Sequence, residues 1–247
     1  MNDNMKTIGL VGGTGWISTL DYYRIINETV NQKRGGLNTA RCILYSFNYG
    51  DIDARNKQKD FQGVYKMVLD ASQRICSAGA DFIVLCANTL HRFADDLEKE
   101  IPVPILHIAD ATAKKIKEHG FSTVGLLGTK QTMELDFYIS RLKNEGIETL
   151  VPDKYEREFI NNTIMDELLK GIQNPSSKAA FKDIMKKLGN RGAEGIILGC
   201  TEIPILISQG DSELPIFNTT VIHALAAAEY AISTSDDHIG DGTPEQQ

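Results

Sequence analysis

The strongest constraint on this chain is that it is written twice. "TIGLVGG", beginning at Thr7, resembles "TVGLLGT", beginning at Thr123, an offset of 116 residues. "GADFIVLCANT", beginning at Gly79, resembles "GAEGIILGCTE", beginning at Gly192, an offset of 113 residues. Two offsets that nearly agree imply two halves of about equal length, each with the same pair of strands. Each repeated word is a short, continuous apolar run ended by glycine or polar residues. That pattern suits a strand buried on both faces of a parallel sheet.

Helical spacing fills the intervals. After "GGTG", Leu20, Tyr23, Ile26 and Val30 recur at helical spacing, with Ser18 or Thr19 placed to cap the helix and Gly35–Gly36 to stop it. "ARCILYSF" reads as a strand, "VYKMVLDASQRICSAG" as a helix and "ADFIVLC" as a buried strand. The alternation continues through "STVGLLGT", "TMELDFYISRLKNEG", "EGIILGC" and "VIHALAAAEYAIS". The expected class is α/β: two pseudo-symmetric lobes, each a mainly parallel sheet flanked by helices, with a cleft between them. Residues 1–108 form the first lobe, completed by the C-terminal helix 219–233. Residues 109–218 form the second, and 234–247 form a polar, frayed tail.

Parallel α/β sheets bind ligands at the carboxyl ends of their strands. Four such ends face the expected cleft: Gly12–Gly15, Cys86–Thr89, Gly128–Thr132 and Gly199–Glu202. Under the second offset Ala87 corresponds to Cys200 and Cys86 to Gly199. Neighbouring strand residues point to opposite faces. If Cys200 faces the cleft, Ala87 faces it from the other side, and Cys86 points into packing.

Composition narrows the class. The 247 residues carry a net charge of −7, which argues against broad binding to nucleic acid or anionic membrane. No apolar run reaches the length of a membrane span, and "MNDNMKTIGLVGG" is too weakly apolar for a secretory signal. Cys42, Cys76, Cys86 and Cys200 have neither zinc spacing nor a disulfide framework. Free thiols in a reducing cytoplasm are expected.

Taken together, "GGTGWIST", "CANTLH", "LLGTKQTM" and "GCTEIP" resemble the aspartate/glutamate racemase superfamily, from about Lys6 to Ser233. The resemblance implies racemisation of a small amino-acid substrate without cofactor or metal, in a protein that is commonly a homodimer. It also implies two opposed cysteines, one removing the α-proton and the other returning a proton to the opposite face. The first of these normally stands immediately before Asn-Thr, where this chain has Ala87; some members have threonine there. The second stands between Gly and Thr, and here it is Cys200. The resemblance places substrate contacts at Thr14, Asn56, Ala87, Asn88, Thr89, Thr201 and Glu202. Many aspartate racemases offer a lysine on a second-lobe helix, where this chain reads "FINNTIMDEL" with Asn162 as the possible occupant.

The residue types suit that chemistry. A thiol titrates near about 8.5 and is tunable by N–H donors or a helix start. Cys200 precedes "TEIPILIS", with Pro204 tolerated in a first helical turn. "GGTG" offers successive N–H groups to an anion, and Thr129 and Thr132 add hydroxyls. Each Thr or Asn taken singly is equally well a cap or turn residue. The polar stretch "NYGDIDARNKQKD" reads as a loop able to close over the cleft, where Arg55 or Lys57 would meet a distal carboxylate; a solvated charged loop is the equal alternative. His91 and Cys86 can replace the missing thiol only if turned inward. His107 follows a short strand and is placed to orient pocket groups. His223 and Trp16 are expected to pack, and Cys42 and Cys76 to be structural.

Two further readings remain open beside the racemase. Related decarboxylases retain only the second-half cysteine and protonate a carbanion from one face. A non-catalytic amino-acid sensor would keep the carboxylate donors and make Ala87 unremarkable. A nicotinamide enzyme fits less well, because Ser18 stands where a dinucleotide turn has its third glycine.

Overall fold

The computed structural model describes residues 5–233, so the expected tail 234–247 lies outside the described residues. In chain order the first lobe runs β1 (Ile8–Gly12), α1 (Trp16–Arg34), β2 (Cys42–Ser46), α2 (Tyr49–Lys57), α3 (Phe61–Ser77), β3 (Phe82–Leu85), a 3₁₀ turn Asn88–Phe93 and α4 (Ala94–Leu97). There follow α5 (Ile108–Glu118), β4 (Thr123–Gly128), α6 (Lys130–Glu134), α7 (Asp136–Asn144), β5 (Glu148–Leu150), α8 (Lys154–Asp166) and α9 (Pro175–Asn190). The last elements are β6 (Gly195–Gly199), α10 (Ile203–Leu206), β7 (Ile216–Asn218) and α11 (Thr219–Ile232).

The strands form two parallel sheets, ordered β2-β1-β3 and β5-β4-β6-β7. The sequence repeat appears here as register. Ile8 pairs with Phe82 in the first sheet, and their counterparts by the two offsets, Val124 and Gly195, pair in the second. A single parallel bridge from Ile83 to Ile105 occupies, in the first sheet, the place of β7 in the second. The strands β1, β3 and β6 are buried along their whole length, as continuous apolar runs require.

Each lobe has its own core. In the first, one sheet face packs Val11, Ile83 and Leu85 with Val64, Val68 and Ile75 of α3. The other face packs Leu10, Phe82 and Cys86 with Tyr22 and Ile26 of α1 and with Ala224, Ala227, Ala228 and Ala231 of α11. The alanine run lets α11, the last described element, lie close against α1. The second lobe packs β4 and β6 with α5, α8 and α9.

Four local expectations change. "NYGDIDARNK" is a helix rather than a loop: Asn48 caps it by accepting from the Gly50 N–H, and Ile52 is its buried anchor. "TMELDFYISRLKN" is broken at Leu135, which is extended, so that Met133 and Tyr138 are both buried in the second-lobe core. Helix α1 is capped at Gly15 without a side-chain cap, and its buried face is Tyr22, Ile25, Ile26 and Val30. Leu20 and Tyr23 face outward, and Trp16 is 67% exposed instead of packing over the first turn.

Candidate active site

Where the strand ends of the two lobes meet, a cavity of about 80 Å³ lies between them. That is small beside the ~300–1,000 Å³ of drug-sized pockets, so it suits a compact metabolite rather than a dinucleotide. Ala87 and Cys200 line it from the first and second lobe respectively. Their placement follows from the repeat: each is the first or second residue beyond the buried strand of its "IVL" or "IIL" word.

The first-lobe loop is built by glycine. Gly13 has φ of +86°, and a Cβ there would run into the backbone of Phe47. Its N–H donates to Thr19 Oγ1 (2.9 Å), which donates in turn to the Gly15 carbonyl (3.0 Å), beside Ser18 Oγ on the same oxygen (2.8 Å). The two residues expected to cap α1 thus pin the loop before it. A Cβ on Gly15 would collide with Glu202 Oε1, so the loop backbone rests against the second lobe's Gly-Cys-Thr-Glu.

Cys200 Sγ donates to Glu202 Oε2 at 3.0 Å, and Thr201 Oγ1 donates to the same oxygen at 2.8 Å. Burial and then the Glu202 charge push the Cys200 thiol well above its ordinary pKa, while the backbone N–H groups of Glu202 and Thr201 act the other way. The resting group is a thiol held on a carboxylate, not a free thiolate. Pro204 sits in the first turn of α10, which spans only four residues.

On the facing side, Asn88 Nδ2 donates to Thr219 Oγ1 (3.1 Å), which donates to the Leu198 carbonyl (2.8 Å). Asn88 is thereby fixed across the lobes, with its Oδ1 left without a partner. His91 is not turned inward. Its Nε2 accepts from the Ile108 N–H (3.2 Å), so Nδ1 carries the proton and donates to the Ala87 carbonyl (3.0 Å). Burial, then His107 and His223, lower its pKa well below the usual range. Cys86 is fully buried in the first-lobe core, its thiol pushed up by burial. Neither can replace a thiol at position 87.

Of the residues expected at the site, Thr14, Asn56, Ala87, Asn88, Thr89, Thr129, Cys200, Thr201 and Glu202 all line the cavity. Thr129 caps α6 by accepting from the Thr132 N–H, which leaves Thr132 buried behind it. Arg55 does not line the cavity: it pairs with Asp60 at 2.5 Å, and Lys57 pairs with Asp53 at 2.6 Å. Asp60 caps α3 and is placed to catch the guanidinium, while Asn56, one residue on, turns inward. Asn162 is exposed, and α8 reaches the cavity through Ile164 and Met165 instead. His107 caps α5, accepting from the Ala109 N–H at 3.1 Å, and His223 packs in α11.

Sequence reasoning missed Tyr49, Arg92 and Gln131, which also line the cavity. Tyr49 is pushed up to about 12 by burial, then by the neighbouring Asp53 and Glu202, so it holds its proton. Thr14 Oγ1, Asn56 Oδ1, Asn88 Oδ1 and Arg92 Nε are buried without hydrogen-bond partners. A polar group left so costs about 1–3 kcal/mol. Four of them on one small cavity mark it as built for a polar ligand. Among the described residues no group of three His, Cys, Asp or Glu is arranged to hold a metal ion, and no helix is long and apolar enough to cross a membrane.

Comparison with known proteins agrees with this fold. The family model for Asp/Glu/Hydantoin racemase matches residues 11–228. The broad specificity amino-acid racemase RacX of Bacillus subtilis is 26% identical over 223 residues, covering 86% of this chain and 92% of RacX. The crystal structure of a candidate Asp/Glu racemase from Yersinia pestis matches with a TM-score of 0.87 and 46% identity, over 93% of this chain and 100% of that one. An aspartate racemase homologue from Pyrococcus horikoshii OT3 matches with a TM-score of 0.80 and 37% identity, over the same shares.

Proposed function

We propose, since the chain belongs to the Asp/Glu/Hydantoin racemase family, that it exchanges the α-proton of an amino acid through Cys200. The observation that carries this reading is the thiol of Cys200 at 3.0 Å from the Glu202 carboxylate, inside an interlobe cavity with unpartnered polar atoms. Cys200 passes its proton to Glu202 and becomes a thiolate. The thiolate takes the α-proton, and the electron pair left on carbon delocalises into the α-carboxylate. Asn88, Thr89, Thr201 and the Thr14 loop hold that carboxylate as charge builds on it. Returning the proton by the same path restores the starting enantiomer. Inversion needs a donor on the Ala87 side, where methyl has no proton to give. Tyr49, which lines the cavity and packs against the core cluster that includes Ala87, and solvent water are the candidates for that donor.

Incubation of L- and D-amino acids with the protein in D₂O, followed by proton NMR, tests this. The expected result is α-deuterium uptake that Cys200→Ser removes. Absence of Cys200-dependent uptake from any acidic or neutral amino acid would refute the proposal. A second reading is favoured by Ala87 itself: one-faced protonation after loss of CO₂ from a substituted malonate needs Cys200 alone. Its signature is CO₂ release with retention of a single product enantiomer, in place of amino-acid exchange.

A further inference from the structure

Among the described residues that line the cavity, one is a cation, Arg92, for which neither the motifs nor the proton-transfer scheme has a role. It lies on the same 3₁₀ turn as Asn88 and Thr89, and its Nη1 donates to Gln131 Oε1 of α6 at 2.8 Å, from one lobe to the other. Its guanidinium lies over the rings of Phe61 and Phe93, 5.0 and 4.5 Å from their centroids. Ring contacts and one amide hydrogen bond fix the plane of the group without neutralising it. No carboxylate pairs with it among the described residues, and its Nε is buried without an acceptor.

A guanidinium offers its N–H groups as a rigid fork that matches a carboxylate two bonds at a time. With Nη1 committed to Gln131, the open edge is Nε with Nη2. That edge can take a carboxylate side-on, and it carries the unpartnered donor. Arg92 stands near the far end of the 3₁₀ turn that begins beside Ala87, four residues beyond Asn88 at its start, and both Asn88 and Arg92 line the cavity. The donors flanking Ala87 and Cys200 serve the α-carboxylate. Ile164, Met165 and Leu169 line the same cavity and suit methylene groups between the two ends.

We propose that Arg92 is the specificity-determining residue of this cleft, its Nε–Nη2 edge taking the distal carboxylate of an acidic amino acid while Gln131 holds the guanidinium from the opposite lobe. This rests on the amino-acid reading above and adds which amino acids fit. Calorimetric titration of the full chain with L- and D-aspartate and glutamate, and with asparagine and glutamine, tests it. The wild type should bind at least one acidic amino acid tenfold or more tightly than its amide. Arg92→Met, which keeps apolar contact with the rings, should lower acid affinity at least tenfold and leave amide affinity within about twofold. Gln131→Glu, which sets a competing carboxylate on Nη1, should weaken acid binding in the same selective way and guards against misfolding of the first variant. Equal wild-type affinity for acid and amide overturns the inference. So does an acid preference that survives in both folded variants, or no binding of any acidic amino acid. The enzyme reading fails separately: selective acid binding lost in Arg92→Met, without Cys200-dependent deuterium uptake, removes the catalysis and keeps the specificity residue. Deuterium uptake equal for acid and amide, and unchanged by Arg92→Met, does the reverse.

Discussion

Cys200 is under opposed influences, and their balance sets its chemistry. Burial and the neighbouring Glu202 charge raise its pKa, and the backbone N–H groups of Thr201 and Glu202 lower it. Burial is the largest effect, so the sulfur rests as a thiol that needs a nearby acceptor to become a base. Glu202→Gln removes the adjacent charge but keeps an oxygen that accepts the thiol hydrogen bond. Alkylation of Cys200 by iodoacetamide, followed by mass spectrometry across pH, should therefore begin at lower pH in this variant; an unchanged profile would show that Glu202 does not bear on the sulfur. At this scale the sequence was readable where chemistry is contiguous, as in Gly-Cys-Thr-Glu. It was unreadable where partners meet only through folding. Arg92 and Gln131 are 39 residues apart and on different lobes. Arg55 and Asn56 look interchangeable in sequence, but Asp60 removes the first and helix rotation turns the second inward.

Strands read more cleanly than the elements beside them. β1, β3, β4 and β6 are uninterrupted apolar words, buried on both faces, and nothing competes with that pattern. Helix α2 was hidden because its single buried anchor, Ile52, sits among polar residues, and its start depends on the Asn48 cap. The loop after β1 depends on glycine in a way the sequence does show. Gly13→Ala forces a side chain into a left-handed backbone and onto Phe47. Strain of that kind costs about 1–3 kcal/mol, and thermal melting should register it as a drop of several degrees. A melting temperature equal to that of the wild type would show that the loop relaxes freely.

Across the whole molecule, the segment joining the lobes is held by buried neutral histidines. His223 donates through Nε2 to the Leu106 carbonyl (2.8 Å) and accepts from Tyr22 Oη at Nδ1 (2.8 Å). His91 receives the Ile108 N–H, and its ring meets those of His107 and His223 edge-on at 4.6 and 5.4 Å. Burial lowers His223 to about 4, and burial followed by the Arg141 charge lowers His107 to about 2. Unfolded, both titrate near about 6.5. Below that pH the unfolded chain binds more protons than the folded one, so stability should fall as pH drops from about 6.5 toward 4, with His107 extending the loss toward 2. Thermal melts in acid should show this decline. His107→Asn, which can still accept the Ala109 N–H, should make it shallower; an equal slope would rule out the histidine origin. The close packing of α11 on α1 makes a second demand. Ala228→Leu adds bulk to a fully buried position and should cost about 1–3 kcal/mol, read as a lower denaturation midpoint, with no change as the contrary result. The histidine contacts with Leu106, Ile108 and Tyr22 were not visible in the sequence, although the twofold plan they hold together was. The central claim is that positions 87 and 200 flank one α-carbon from opposite lobes. It is tested most directly by the ratio of inversion to α-deuterium uptake in Ala87→Cys. Supplying the second thiol should raise that ratio about 10²–10⁴-fold over the wild type, the usual range for a positioned acid or base. A folded Ala87→Cys protein that exchanges deuterium but inverts no faster than the wild type would contradict it.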